Sequence, residues 1–374
     1  MIVVIVTDLY NSTNNGTTVS ARRLVDALQA RGHEVRIICT GTEGPNKYIV
    51  QKVEHGLIPT VASWNGMVFG RPDDSVINRA LDGADIVHCY MPFPLEKRVM
   101  KLAKKRGIPC TTAMHVQAQH VTYNAGMSHC PFLSGWIYDW IRMYYYKHFD
   151  RIHCPSQFMA DEIEKHHYEA KKYVISNGIC SAFKPKEVPK IPSLKGKFCI
   201  LMVGRLSKEK RQDVLIKACK ISKHADSIQL ILAGHGPKEE KYRKLAQCLP
   251  NPVIFGFYSQ SDLVNLYNMC DLYVHAADVE SEAISCMEAF ACGLVPVISN
   301  SSMSATKQFA LDEKSLFKHG NAQDLADRID YWFEHPEEKK ALSQKYVEES
   351  KVFDFDYCVD RMIDMFQDAI NERV

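Results

Sequence analysis

Short apolar runs alternate with amphipathic helical segments along most of this chain, and this alternation limits the possible folds more than any other feature. The first run, residues 2–6, is followed by a loop, a helix over about 18–31 and a second run at 35–39. Strand, helix and strand in this order form a βαβ unit with parallel strands. Runs this short and this uniformly apolar are typical of strands buried on both faces.

The same pattern recurs after a segment rich in proline and lysine, residues 181–196, which we interpret as a linker. We therefore predict an α/β protein with two Rossmann-like domains, residues 1–180 and 197–352, facing each other across a cleft. Residues 353–374 contain an amphipathic helix with no strand after it, and we expect it to pack back on the first domain. In open parallel sheets, ligands bind at the carboxyl ends of the strands, which here border the cleft.

Composition excludes several classes of protein. The 374 residues carry a net charge of only +2, which argues against nucleic acid as a partner. No apolar run approaches the roughly 20 residues needed to span a bilayer. The 13 cysteines show no metal-binding spacing. We therefore expect a reduced, cytoplasmic chain without structural disulfides.

Two carboxylates eight residues apart, Glu280 and Glu288, flank the start of a predicted helix over 283–292. A helix N-terminus has free N–H groups and suits an anion, whereas carboxylates accept hydrogen bonds from the hydroxyls of a sugar or a ribose. One loop would then hold a phosphate and a polyol together. The spacing is equally compatible with an acidic surface loop before an ordinary amphipathic helix.

A basic loop follows the strand at 198–203. Gly204 permits close approach of the backbone, and Arg205 and Lys210 offer two cations that offset the charge of a diphosphate without a metal. A solvated charged turn is the alternative. The loop after the first strand contains Gly16 but no G-x-G-x-x-G, which argues against a nicotinamide dinucleotide. Gly16 either lets the backbone approach a ligand or only makes the turn.

Together, these motifs are more specific than either alone. G-R-L-S-K-E-K-R-Q-D at 204–213, with Glu280 and E-A-F-A-C-G at 288–293, resembles the family 4 retaining glycosyltransferases of the GT-B fold. L-A-G-H-G-P at 232–237 is also similar to that family. The chain as a whole resembles its bacterial diacylglycerol glucosyltransferases.

The resemblance implies a set of functional residues. Arg205 and Lys210 would bind the diphosphate of a nucleotide-sugar and stabilise its charge during transfer, with Gly204 and Gly16 bringing backbone close to phosphate. Glu280 would meet the sugar or its phosphate side. Glu288 would bind the ribose hydroxyls, with Ala283 and Ile284 also at the donor. His115 would lie near the transferred sugar, although His120 competes for this role. No metal or other cofactor is implied.

One segment departs from the family pattern. The family commonly has Gly-Phe-Gly after its first glutamate, and here Ser281, Glu282 and Ala283 stand in those places. This difference puts the backbone contacts of the sugar pocket in question, and with them the choice of donor.

The acceptor is suggested by two segments. Residues 131–149 are dense in aromatics, and residues 95–106 form a strongly basic amphipathic helix. This combination suits peripheral attachment to an anionic membrane. The alternative is that the aromatic segment is a helix of the core with a solvated edge. We expect transfer of a hexose, by preference glucose from UDP-glucose, to a lipid such as diacylglycerol at the inner face of the plasma membrane. The alternatives are a polysaccharide or another cell-surface glycan precursor as acceptor, or a nucleotide-sugar epimerase.

Overall fold

Parallel strands and the helices between them make up most of the fold. The structure, a computed structural model, describes residues 1–10, 16–54, 68–124, 126–127 and 131–372. The strands are β1 (Ile2–Leu9), β2 (Glu34–Thr40), β3 (Lys47–Ile49), β4 (Ile86–Cys89), β5 (Cys110–Ala113), β6 (Arg151–Cys154), β7 (Lys171–Val174), β8 (Phe198–Val203), β9 (Ile228–Ala233), β10 (Ile254–Gly256), β11 (Leu272–His275), β12 (Pro296–Ser299) and β13 (Leu316–Phe317). The α-helices are α1 (Gly16–Ala30), α2 (Asp74–Ala80), α3 (Pro94–Lys105), α4 (Ala118–Asn124), α5 (Pro131–Tyr144), α6 (Gln157–Lys165), α7 (Gln212–Ile221), α8 (Glu239–Ala246), α9 (Gln260–Met269), α10 (Ile284–Ala291), α11 (Ala322–Glu334), α12 (Pro336–Glu349) and α13 (Phe355–Asn371).

The N-terminal unit is built on a parallel seven-stranded sheet. It comprises Met1–Ala118, Cys130–Asn177 and Asp356–Val374, and its strand order is β3-β2-β1-β4-β5-β6-β7. The middle of β1 is fully buried because helices cover both faces of the sheet. The C-terminal helix α13 belongs to this unit, where Arg31 of the segment after α1 pairs with Asp356 and Asp360.

The C-terminal unit contains a parallel six-stranded sheet in the order β10-β9-β8-β11-β12-β13. It comprises Gln119–His129 and Gly178–Phe355. Its core is formed by the largely apolar strands β8, β9, β11 and β12 together with the inner faces of the surrounding helices. Both sheets therefore reverse their strand order once, at β1/β4 and at β8/β11.

The unit boundaries differ from the predicted domain limits in two places. Residues 119–129, predicted in the first domain, belong to the C-terminal unit. Residues 181–196, predicted as a linker, also belong to that unit, because Phe183 and Leu194 are buried in its core. A linker-like composition did not prevent these two side chains from finding apolar neighbours.

Across the described ranges, no helix combines the length and the apolar character needed to cross a bilayer.

Candidate active site

The loops that carry the predicted residues leave the two strands at which the C-terminal sheet reverses its order. The loop from β8 to α7 covers residues 204–211, and the loop from β11 to α10 covers residues 276–283. Ligands of open parallel sheets bind at the carboxyl edge at this reversal. Arg205, Lys210 and Glu280 thus share one edge of the sheet, although Lys210 and Glu280 are 70 positions apart.

Two glycines allow the loops at this edge to approach closely. Gly204 has φ +150° and Gly234, at the end of β9, has φ +147°. A Cβ added to Gly234 would lie 2.1 Å from the carbonyl oxygen of Gly204, so no side chain fits there. At Gly204, the aliphatic stem of Lys210 passes 3.7 Å from the position that a Cβ would occupy. Lys210 therefore folds across the end of β8.

Lys210 and Glu280 form a buried ion pair at the centre of the site. The ammonium of Lys210 donates to the carboxylate of Glu280, and Nε2 of His275 lies 3.1 Å from the same carboxylate oxygen. Burial raises the pKa of Glu280, but the charge of Lys210 and the hydrogen bond of His275 outweigh it and hold that pKa far below its usual value. Glu280 is therefore ionised, and its charge is balanced by Lys210.

Hydrogen bonds among Tyr273, His275 and Ser285 connect this ion pair to the end of β8. The hydroxyl of Tyr273 lies 3.2 Å from Nδ1 of His275 and donates to Ser285 Oγ at 3.0 Å, which in turn donates to the carbonyl of Val203. His275 is fully buried, and burial lowers its pKa despite the neighbouring Glu280. The ion pair thus rests on polar groups that are themselves fixed.

The helices after both loops begin without a side-chain cap. The N-cap residues, Arg211 of α7 and Ala283 of α10, have left-handed backbone conformations with φ +57° and +70°, and neither side chain accepts a hydrogen bond from its helix. Uncapped N–H groups at a helix N-terminus favour an anion. The predicted residues Ala283 and Ile284 are therefore the N-cap and the first residue of α10.

The remaining predicted residues of this unit occupy the same region. Glu288 is half-buried on α10 and accepts a hydrogen bond from Tyr267 at 3.2 Å. The side chain of Arg205 is exposed and pairs with no carboxylate among the described residues. Glu282 is buried, whereas its neighbour Ser281 is half-buried.

Asp278, which the sequence motifs did not single out, is a second centre of polar contacts in this site. Its buried carboxylate accepts hydrogen bonds from Arg211 Nη1 at 2.8 Å, from His319 at 2.6 Å and from the hydroxyl of Tyr123. In the sequence, only its position two residues before Glu280 suggested that Asp278 belongs to the site. Tyr123 stands in H-V-Q-A-Q-H-V-T-Y-N at 115–124, a segment similar to the diacylglycerol glucosyltransferases, whereas His319 stands in no motif. Nothing in either segment indicates Asp278 as the partner, so their convergence on it could not be inferred.

The two candidate histidines belong to different units. His115 is in the N-terminal unit, stacked on Tyr90 at 5.4 Å, and burial together with His153 lowers its pKa to about 3. His120 is on α4 in the C-terminal unit, where burial lowers its pKa and Glu280 and Lys210 are among its charged neighbours. The predicted preference for His115 remains untested, and the structure associates His120 with the site described above.

Gly16 starts α1 and is exposed, and an added Cβ would meet no atom within 4 Å. Residues 11–15 of the loop that precedes it lie outside the described residues. The close approach of Gly16 to phosphate stays a prediction.

The N-terminal sheet carries a buried acid pair at its own reversal point. Asp8, on β1, accepts a hydrogen bond from the Gly70 N–H, and Glu96, in the first turn of α3, is fully buried beside it. Burial raises the pKa of Asp8 to about 6 and that of Glu96 well above its usual value. Two neighbouring buried carboxyl groups disfavour ionisation of both.

An exposed aromatic face on α5 adjoins a group of lysines. Phe132, Trp136 and Trp140 are 87%, 56% and 51% exposed and repeat every four residues, so they share one side of the helix. Trp140 stacks on Tyr144, and Lys97 Nζ lies 3.5 Å from the centroid of the Tyr144 ring. Lys101 and Lys104, also on α3, and Lys147, which follows α5, are the other cations of this group. These three and Lys97 are called the α3 lysine cluster below.

Comparisons with known proteins agree with this architecture. The family model described as "Glycosyltransferase Family 4" matches residues 14–182, and the model described as "Glycosyl transferases group 1" matches residues 183–348. The chain belongs to the family 4 glycosyltransferases. It is an enzyme of the transferase class with the GT-B fold, as the motifs predicted.

Similar proteins include two kinds of glycosyltransferase. An alpha-monoglucosyldiacylglycerol synthase of Streptococcus pneumoniae is 27% identical over 324 residues, which are 79% of this chain and 70% of that protein. A GDP-mannose-dependent alpha-mannosyltransferase of Mycolicibacterium smegmatis is 26% identical over 312 residues, 80% of this chain and 79% of that protein.

Among solved structures, the Anabaena protein HepE in complex with UDP and glucose superposes with a TM-score of 0.71 at 14% identity, covering 98% of this chain and 100% of that chain. This likeness shows the fold.

Proposed function

We propose that this glycosyltransferase moves a hexose, by preference glucose, from a UDP-sugar to the hydroxyl of a lipid such as diacylglycerol, with retention at the anomeric carbon. The observation that carries the proposal is the Lys210–Glu280 pair between two uncapped helix N-termini. These groups suit a diphosphate next to a polyol, which is the chemistry of a nucleotide-sugar.

The proposed reaction breaks the bond between the anomeric carbon and the diphosphate and forms a bond from that carbon to the acceptor oxygen. The proton of the acceptor hydroxyl leaves with the nucleoside diphosphate. Negative charge grows on the diphosphate, where Lys210, Arg205 and the N–H groups of α7 and α10 would stabilise it. The Glu288 carboxylate would accept hydrogen bonds from the ribose hydroxyls.

A place for the base is suggested by two aromatic rings at the carboxyl ends of β9 and β10. His235 and Phe257 stack with 5.2 Å between their centroids, and the Phe257 ring is largely exposed. Exposed aromatic faces stack well on nucleobases.

Two observations support a membrane lipid as acceptor. The relatives from Streptococcus pneumoniae and Acholeplasma laidlawii are named alpha-monoglucosyldiacylglycerol synthases. The aromatic face of α5 beside the α3 lysine cluster has the composition of surfaces that insert into an anionic interface. We therefore propose a peripheral site of action at the membrane.

The test is turnover of purified enzyme with diacylglycerol in anionic vesicles. UDP-glucose and GDP-mannose serve as alternative donors, since one relative is named a monoglucosyldiacylglycerol synthase and another a GDP-mannose-dependent mannosyltransferase. We expect UDP release that depends on diacylglycerol, an α-linked product by NMR, and no loss of rate with EDTA. Turnover with GDP-mannose alone would reassign the donor, and absence of turnover with every donor and acceptor would refute the proposal.

Lys210→Ala should weaken binding of UDP by roughly tenfold or more, because it removes a charge-assisted contact. Lys241→Ala, at an exposed position on α8, is the matched control. Equal UDP affinities in the two variants would mean that Lys210 does not hold the diphosphate.

A further inference from the structure

Asp278 gathers three side chains from three distant parts of the chain. Its side chain is only 3% exposed, and its carboxylate accepts hydrogen bonds from Arg211, His319 and Tyr123. A buried carboxylate is stable when hydrogen-bond donors and a cation surround it, as they do here. Removal of its charge would leave the Arg211 guanidinium with weaker partners.

The main chain of Asp278 is fixed as firmly as its side chain. Its N–H donates to the carbonyl of Glu209 at 2.8 Å, and its carbonyl accepts a hydrogen bond from Ser301 at 2.6 Å. Glu209 directly precedes Lys210, and Asp278 lies two residues before Glu280. Asp278 is therefore the place where the loops that carry the two partners of the central ion pair are joined.

Arg211 has an unfavourable backbone conformation that its side-chain contacts stabilise. Its φ of +57° is left-handed, a region that is sterically unfavourable for residues other than glycine. Its guanidinium also donates to Asp213 at 3.3 Å. These bonds to Asp278 and Asp213 stabilise the turn immediately after Lys210.

Tyr123 connects helix α4 to the same loops. Its hydroxyl donates to Asp278, and Lys208 Nζ lies 4.9 Å from the centroid of its ring. His120, one turn earlier on α4, has Glu280, Lys210 and the Val279 backbone among its neighbours. The position of α4 against the site thus depends on Tyr123.

We propose that Asp278 is a positioning residue for the transfer reaction. By holding Arg211 it directs Lys210 toward the donor diphosphate, and by holding Tyr123 it keeps α4 against the donor site. This inference rests on the proposed function, since it assigns to Lys210 the same donor that the proposed reaction uses.

The test compares Asp278→Asn with Asp330→Asn in the full-length protein. Asp330 is also a buried aspartate of the C-terminal unit, and it binds Ser222 and the Lys223 N–H instead of the site loops. Hydrogen exchange measured by mass spectrometry follows peptides 204–211 and 118–124, and calorimetry gives the Kd of UDP. For Asp278→Asn we expect faster exchange in both peptides and a Kd that rises about tenfold, as for loss of a charge-assisted bond.

The two readouts separate the proposals. Exchange that stays slow in both peptides, or a UDP affinity equal to that of Asp330→Asn when wild type binds UDP, would overturn the positioning role. If wild type binds no nucleoside diphosphate, the proposed function fails, while faster exchange in the Asp278→Asn peptides still supports the positioning of the loops.

Tyr123→Phe isolates the contribution of α4. It keeps the ring beside Lys208 and removes only the hydroxyl. We expect faster exchange in peptide 118–124 with peptide 204–211 unchanged, and a lower kcat with an unchanged Kd for UDP. Unchanged exchange and unchanged kcat would show that Tyr123 does not position α4.

Discussion

Arg211 and Ala283, which precede helices α7 and α10 at the carboxyl edge of the C-terminal sheet, adopt backbone conformations that favour glycine. Ala283 is the last residue of the segment that departs from the family pattern, in the place where the family commonly has glycine. Ala283 therefore has a backbone conformation that glycine would adopt at a lower steric cost. Strained residues of this kind concentrate at functional sites, where the surroundings determine the conformation.

Ala283→Gly should stabilise the protein by about 1 kcal/mol, because glycine adopts φ +70° without the steric cost. Ala291→Gly, at the end of the same helix, is the control and should destabilise by a similar amount. Thermal melts of the two variants give the comparison. A melting temperature for Ala283→Gly that falls as far as that of Ala291→Gly would contradict the assigned strain.

The buried Asp8–Glu96 pair predicts a specific pH dependence. The pKa of Asp8 is raised to about 6, so the folded state retains a proton that the unfolded state loses near pH 4. Stability contributed by this group is present below the unfolded pKa and is lost as pH rises to about 6.

Asp8→Asn keeps an oxygen for the Gly70 N–H and adds N–H donors facing Glu96. Wild type should lose stability between pH 4 and pH 7 through Asp8, and the variant should not. The difference in melting temperature, variant minus wild type, should therefore become more positive over this range. A difference that is constant over this range would show that Asp8 titrates normally in the folded protein.

At the scale of elements, most strands could be predicted because each is a short apolar run buried on both faces. β8, for example, was expected over 198–203 and is observed as Phe198–Val203. The edge strands β3 and β13 contain three and two residues, too few to give a periodic signal. Helices α11 and α12 were not predicted, although α11 buries Leu325, Ile329 and Trp332 in a clear helical pattern.

Helix α13 was predicted from its amphipathic pattern, and its partners show why it docks where it does. It buries Met362, Met365 and Phe366 against the N-terminal unit, while its ion pairs with Arg31 lie at the surface. Buried apolar area stabilises far more than exposed ion pairs do.

Phe366→Ala should therefore destabilise the N-terminal unit by about 3–5 kcal/mol, whereas Arg31→Ala should cost about 1 kcal/mol or less. Urea unfolding followed by circular dichroism measures both. Comparable costs for the two substitutions would mean that the ion pairs hold α13 in place.

At the scale of the whole molecule, the distribution of charge matters more than its sum. A net charge of +2 would give little attraction to an anionic bilayer. The α3 lysine cluster beside the aromatic face of α5 concentrates positive charge at one place. Both segments are recognisable in the sequence, but a helical pattern alone does not specify whether the aromatics of 131–149 face solvent or the core.

Binding to vesicles rich in phosphatidylglycerol should be lost in Trp136→Ser/Trp140→Ser and weakened in wild type by salt, since about 0.5 M salt screens charges beyond roughly 4 Å. Ile191→Ser, another exposed apolar residue, is the control. Sedimentation with vesicles measures both effects. Binding that persists in the double variant would exclude this face as the membrane contact.

The placement of residues 119–129 in the C-terminal unit has a consequence for protein engineering. A chimaera joined at the Asn177–Gly178 boundary would take α4 from one parent and Asp278 from the other. Such a chimaera divides the C-terminal unit between the parents and pairs Tyr123 of one with Asp278 of the other. A crossover that transfers residues 119–129 together with 178–355 keeps the pair, and it defines the exchangeable module of this enzyme.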